Sequence, residues 1–297
     1  LLKQWKRHYE LYLLLFPTLI YFAIFEYGPI YGLQIAFKNF LPFKGIADSP
    51  WVGFENFQRF FENYKFWEIL LNTLTISLYE LALFPIPVIL ALLINQLTSQ
   101  RFKKLVQTVT YAPHFISTVV IVGMLYLFLS PTSGVINHML MGLGIESQYF
   151  MAKAEWFASI FVWSGVWQNA GWGTIIYLAA LTAISPELHE SAVVDGASKL
   201  KRILHIDLPG IMPTVIVLLI LNIGSFMSVG FEKVYLMQNP LNINSAEIIQ
   251  TYVYKSGLLN AQYSYSAAIG MFNSVVNCIL LVVVNLIAKR FGKASLW

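Results

Sequence analysis

Six stretches of this chain, at 11–37, 72–95, 106–129, 156–184, 211–231 and 264–288, run predominantly apolar for the ~20 residues a helix needs to cross a bilayer core. They must be helices, because an isolated strand in lipid leaves its backbone groups unbonded. Their Leu, Ile and Val richness without two-residue alternation argues against a barrel. Only 11% of residues are charged and 57% are hydrophobic, against roughly 25% charged in soluble domains, so water alone cannot solvate the surface. The expectation is an all-α integral membrane protein with six transmembrane helices, forming a single transmembrane domain over residues 1–297.

Charge placement orients the chain. With six spans, both termini and two loops share one side. That side carries Lys3, Lys6, Arg7, Arg101, Lys103, Lys104, Lys199, Lys201, Arg202, Lys289, Arg290 and Lys293, twelve of the nineteen basic residues. The excess assigns both termini to the cytoplasm and leaves 38–65, 130–155 and 232–263 as outer loops. The net charge of +4 follows the span ends, which points to a membrane surface and not to nucleic acid. No cleavable signal peptide is read: the first apolar run is long and lacks a small-residue cleavage site. A single cysteine, Cys278, excludes an intrachain disulfide and a cysteine zinc cluster. The spans carry Pro17, Pro29, Pro85, Pro87, Pro113 and Pro213, each a bend tolerated by its neighbours or a hinge. In the first outer loop Trp51, Phe54, Phe57, Phe60 and Phe61 are spaced like one helical face, predicting an interfacial helix.

The segment 185–209 predicts two short helices lying at the cytoplasmic surface. Ser185 is placed to cap a helix opening on Pro186, with Glu187 in its first turn. Gly196 permits a sharp turn, a second helix spans 197–206, and Pro209 begins the return into the membrane. Here Glu190-Ser191-Ala192, Asp195-Gly196-Ala197 and Ile206-Asp207-Leu208-Pro209 resemble the EAA loop of binding-protein-dependent importer permeases, with Ser191 where that family prefers Ala. The likeness extends to Pro29-Ile30-Tyr31-Gly32, Trp51-Val52-Gly53-Phe54-Glu55-Asn56-Phe57, Asn72-Thr73-Leu74 and Tyr111-Ala112-Pro113-His114-Phe115. The chain is similar to MalF-type carbohydrate permeases of the LplB-like branch.

The resemblance implies a type I ABC importer permease fold whose cytoplasmic coupling helix docks a separate ATPase through Glu190, Ser191, Ala192, Asp195, Gly196, Ala197, Leu208 and Pro209. It implies as partners a second homologous permease, two ATP-binding-cassette subunits that hold ATP and Mg, an extracytoplasmic solute-binding protein and a glycan substrate, all at a bacterial cytoplasmic membrane. An oligosaccharide or polysaccharide is the implied cargo; Lys38, Lys44 and Lys65 near the outer face would favour an acidic, alginate-like one.

Several residues are candidates for the pathway. Glu80 stands within the second span, where a carboxylate is costly and faces a cavity or a partner. Gln168 and Trp172 share a helix face in the fourth span beside Asn169. Amides can read hydroxyls and an indole can stack on a sugar; interhelical hydrogen bonding is the competing reading. Asn222, Ser225 and Ser228 in the fifth span are spaced as one polar stripe, or as close-packing small residues. His114 has no companion at metal-ligand spacing, and His189 and His205, flanking the 185–209 segment, read as interfacial packing residues. No phosphate-binding Gly-x-x-x-x-Gly-Lys-Ser/Thr, His-Glu-x-x-His or Gly-x-Ser-x-Gly occurs, so no catalytic residue, metal or cofactor is assigned to this chain. The alternative reading is an ion-coupled secondary transporter of a polar solute using Glu26 and Glu80; it leaves the Glu190–Pro213 pattern unexplained.

Overall fold

A computed structural model describes residues 9–290 and 295–296; Lys3, Lys6, Arg7 and Lys293, used above to orient the termini, lie outside them. Helices make up nearly all the regular structure of the described residues, with one isolated antiparallel bridge, Lys38 to Trp51. The chain divides into two compact units, residues 1–66 with 253–272, and residues 67–252 with 273–297.

In the first unit, α1 (Tyr9–Tyr21) runs on through a π-helical turn at Phe22–Tyr27 and a tighter helix at Gly28–Phe37. Pro29 sits at the start of that tighter segment, where its missing N–H is tolerated. The 29 residues form an apolar helix whose span-length window buries nothing within the chain. Beyond it, Lys38 is 2% exposed. Its ammonium donates to the carbonyls of Ile46 at 2.6 Å and Ala47 at 3.2 Å and lies 4.6 Å from the centre of the Trp51 ring. Lys38 is therefore a structural cation, and it drops out of the argument for an acidic cargo. The loop helix α2 (Glu55–Phe61) is only seven residues long. Its aromatics form no continuous interfacial face: Phe60 turns inward onto Phe66, Tyr265 and Phe272, while Trp51 and Phe54 stay exposed.

The second unit holds α3 (Phe66–Leu83, from Trp67 on), α4 (Pro85–Asn95), α5 (Gln100–Tyr111), α6 (Thr118–Phe128), α7 (Val135–Gly142), α8 (Ala154–Thr182), α9 (Pro186–Val194), α10 (Lys199–Arg202), α11 (Leu208–Gly224), α12 (Phe231–Met237), the start of α13 (Ile249–Tyr254) and the later part of α14 (Tyr263–Arg290). Its inner core packs Val88, Ala91 and Leu92 of α4 on Tyr177 and Leu181 of α8 and Ile211 of α11. A second cluster joins Ile76, Val122, Phe157, Phe161, Val234 and Met237.

Among the described residues, four continuous helices are long and apolar enough to cross a membrane, at 9–37, 66–95, 199–224 and 263–290. The expected third span is not straight. It breaks at 116–117, and 100–115 and 118–128 are bent 98° apart, with Pro113 buried at the break. The expected fourth span is α8, whose 29 residues give ample length (about 1.5 Å per residue), though its Trp, Gln, Asn and Gly leave it less apolar than the four. The expected fifth span ends at Gly224 and not at 231. Residues 225–230 are non-helical, and this unwound stretch is held from α14: Asn277 Oδ1 accepts from the Met227 amide at 2.8 Å and its Nδ2 donates to Ser228 Oγ at 3.0 Å.

Close approach decides how α5 meets α8. A Cβ on Gly171 would stand 2.0 Å from the Thr110 carbonyl oxygen, whereas one on Gly123 of α6 would meet nothing within 4 Å. Overpacking of this kind costs ~1–3 kcal/mol. Gly171→Ala is therefore expected to lower the detergent-solubilised protein's melting temperature by several degrees, and Gly123→Ala to leave it unchanged, as read by a thermal-shift assay.

Candidate functional site

Two regions gather the residues that sequence reasoning singled out. The first is the segment between α8 and α11. Ser185 precedes Pro186 in extended geometry, but its side chain makes no capping bond, so the helix start rests on Pro186 and Glu187. At the other end of α9, the Gly196 N–H donates to the Val193 carbonyl at 3.0 Å and the Ala197 N–H to the Ala192 carbonyl at 2.8 Å. With Gly196 at φ +76°, this is the paired-bond left-handed helix stop in which glycine is favoured. The run Asp195-Gly196-Ala197 thus has a local physical cause, and Ala192 and Ala197 are its closing pair.

The second short helix differs from expectation. It starts at Lys199, capped by Ser198 Oγ, which accepts from the Lys201 N–H at 3.4 Å. It then passes through a π-helical turn at Ile203–Asp207 directly into α11, so 199–224 is one continuous helix and Pro209 begins nothing. Glu190, Ser191, Asp195 and Gly196 are exposed, as are the apolar Leu188 (53%), Val193 (55%) and Val194 (87%). Beneath α9, Asp207 is fully buried. Its Oδ2 accepts from Gln96 Nε2 at 3.0 Å. Its Oδ1 lies 3.2 Å from His189 Nε2, in ion-pair range without the alignment of a straight hydrogen bond.

The second region is a cavity of about 470 Å³ walled by α3, α4, α8 and α11, with Glu80, Pro87, Asn169, Gly173, Tyr177 and Asn222 in its lining. Of the seven pathway candidates, Glu80, Asn169 and Asn222 meet here. The other four have structural partners. Gln168 Nε2 donates to the Ile116 carbonyl at 2.9 Å, satisfying a backbone group at the break between α5 and α6. Trp172 stacks on His114, ring centres 4.5 Å apart and planes 4° from parallel, and His114 Nδ1 lies 3.0 Å from Asn169 Oδ1. Ser225 donates to the Asn222 carbonyl at the end of α11, and Ser228 is held by Asn277. The proposed stripe of Asn222, Ser225 and Ser228 does not exist, because the helix ends before its second member.

Lys233 was missed as a partner of this region. It reads in the sequence as an outer-loop charge, yet α12 packs on α6 and Lys233 is buried. Its ammonium donates to the Phe161 carbonyl at 2.9 Å and lies 4.9 Å from the Phe161 ring centre. The end of α11 at Gly224, nine residues earlier, is what brings it inward, and no sequence period signals that.

The chain matches the model of the family described as binding-protein-dependent transport system inner membrane component over residues 84–293. It is 46% identical to Protein LplB of Bacillus subtilis (strain 168), covering 98% of this chain and 92% of that one. It is 44% identical to the polygalacturonan/rhamnogalacturonan transport system permease protein YteP of the same organism, over 97% and 90%. Its fold superposes with a TM-score of 0.92 on a chain in the crystal structure of a bacterial alginate ABC transporter in complex with alginate pentasaccharide-bound periplasmic protein. Identity there is 41%, and 100% and 99% of the two chains are covered.

Gln168→Leu strands a backbone carbonyl, a loss of ~1–3 kcal/mol. It is expected to lower thermal stability while any transport that survives keeps its substrate preference. Asn222→Leu, which changes only the cavity lining, is expected to leave stability near wild type and to weaken solute-stimulated ATP hydrolysis in the purified complex.

Proposed function

We propose a function from one premise: the chain belongs to the family of binding-protein-dependent transport system inner membrane components. It is the permease subunit of an ATP-binding-cassette importer of oligosaccharides. Six spans cross the bacterial cytoplasmic membrane: the four continuous apolar helices, the bent pair α5–α6, and α8. Both termini are cytoplasmic. The chain hydrolyses no ATP. It pairs with a second, homologous permease and two ATPase subunits, and a solute-binding protein delivers the glycan to the outer face.

The observation that carries this reading is the exposed helix α9. Leu188, Val193 and Val194 lie open beside Glu190 on a segment outside the spans, and apolar side chains grouped on a water-facing surface mark a docking site. We assign α9 as the coupling helix. Glu190, Ser191, Ala192, Asp195, Gly196 and Ala197 form or shape its docking face, and Leu208 and Pro209 lie within the continuous helix 199–224 that follows it. ATP binding draws the ATPases together, moves α9 and turns the permeases outward; hydrolysis resets them.

The cargo class rests on the relatives. YteP is named for polygalacturonan and rhamnogalacturonan transport, and the superposed structures belong to an importer of the acidic polysaccharide alginate. A uronate-containing oligosaccharide is the proposed substrate. Asn169 and Asn222 would offer amides to its hydroxyls in the cavity, with Glu80 beside them.

Glu190→Lys and Gly196→Asp are expected to abolish uptake while the protein still inserts, and to lose the ATPase on purification; wild-type uptake in both contradicts the coupling assignment. Gly196→Asp acts through backbone strain at φ +76°, so Gly196→Asn, which tolerates this region better, should retain more activity. An ion-driven carrier would show no solute-stimulated ATP hydrolysis.

A further inference from the structure

The buried carboxylate under α9 sits where three elements converge. Asp207 is 0% exposed and closes the π-helical turn that opens α11. One oxygen accepts from Gln96, which caps the end of α4. The other faces His189 in the middle of α9, one residue before Glu190. A carboxylate withdrawn from water is tolerated only with partners of this kind, and removing one partner costs far more than an exposed pair is worth. The three elements are not arbitrary. α4 supplies Pro87 to the cavity wall, and α11 supplies Leu218 and Asn222. The same level also engages α8, since a Cβ on Gly210 would come within 2.6 Å of Ile184 Cδ1, just past the end of that helix. A shift of α9 therefore reaches the cavity walls through one side chain, with no loop in between.

We infer that Asp207 is the positioning residue that transmits the motion of α9 to the cavity-lining helices α4 and α11, through its hydrogen bond to Gln96 and its contact with His189. This rests on the assignment of α9 as the coupling helix and deepens it. Asp207 touches neither ATP nor glycan; it sets whether hydrolysis and wall movement remain one event. Nothing in the residue pattern of the docking face requires a carboxylate here. Asp207 sits one position before Leu208-Pro209, facing inward from the part of the loop that carries the contact surface.

The test uses the complete transporter, with both permeases, ATPases and binding protein, reconstituted in liposomes. Alginate and galacturonan oligosaccharides are the probes. Gln96→Leu deletes the donor to Asp207 without altering α9. The expected result is wild-type co-purification of the ATPase, ATP hydrolysis within twofold of wild type, and probe taken up per ATP reduced at least tenfold. The double exchange Gln96→Glu with Asp207→Asn swaps acceptor and donor and is expected to restore uptake per ATP to within threefold of wild type. A role confined to stability would lower yield and leave that ratio unmoved. Wild-type uptake per ATP in Gln96→Leu overturns the inference, as does failure of the exchange to recover coupling. If Gln96→Leu does not accumulate in the membrane, the exchange variant decides alone, by coupled uptake or by idle hydrolysis. Glu190→Lys measured alongside separates the two claims. An inactive Glu190→Lys beside a fully coupled Gln96→Leu removes only the relay, whereas a fully active Glu190→Lys removes the coupling helix itself.

Discussion

A polypeptide in an apolar medium must satisfy each backbone amide and carbonyl from within the protein, and the second unit is organised around the places where its helices fail to do so. The bend between α5 and α6 frees carbonyls near Pro113; Gln168 on α8 reaches across to one of them, at Ile116. The early end of α11 frees the backbone at 225–230; Asn277 on α14 supplies an acceptor to one amide there, and Gln250 donates to the carbonyl of the same residue, Met227. In both cases an amide side chain on a neighbouring helix replaces a missing helical bond. The irregular segments stay in place because of these clamps, and the cavity walled by α3, α4, α8 and α11 lies among the helices that they fix.

That constraint explains what the sequence could and could not disclose. Length and apolarity identify 11–37 and 264–288 as helices without ambiguity, because nothing else buries so long a run. The end of α9 was legible because Gly196 obeys a local rule: a left-handed helix stop favours glycine whatever surrounds it. Gln168 and Asn222 look alike in the sequence, as amides within apolar runs. Whether such a group faces a cavity or a broken helix depends on a bend elsewhere, and Pro113 announces a bend without its direction. Lys233 was hidden for the same reason, since the residues between Gly224 and Phe231 carry no signal that the chain turns back to pack on α6. Lys38 illustrates the converse. A lysine at a span end reads as solvated charge, yet two carbonyls and an indole enclose it.

The functional geometry follows from where polarity is tolerated. On α9 exposed apolar side chains sit beside exposed Glu190, a surface that water alone leaves uncovered and an ATPase cleft would fill. Behind it a single buried carboxylate ties that surface to the helices walling the cavity, so force applied at one end has a short, polar path to the other. In the cavity itself, Glu80 stands beside the neutral amides of Asn169 and Asn222, while Lys233, outside the lining, is held by the Phe161 carbonyl.

The central claim is that this chain works only as one subunit of an ATP-driven assembly. Affinity purification of the tagged chain from its native membrane, with mass spectrometry of whatever remains bound, tests that most directly. The account predicts recovery of a second permease and of an ATPase carrying the phosphate-binding Gly-x-x-x-x-Gly-Lys-Ser/Thr motif that this chain lacks. Recovery of the chain alone, stable and moving solute down an ion gradient without ATP, would contradict it.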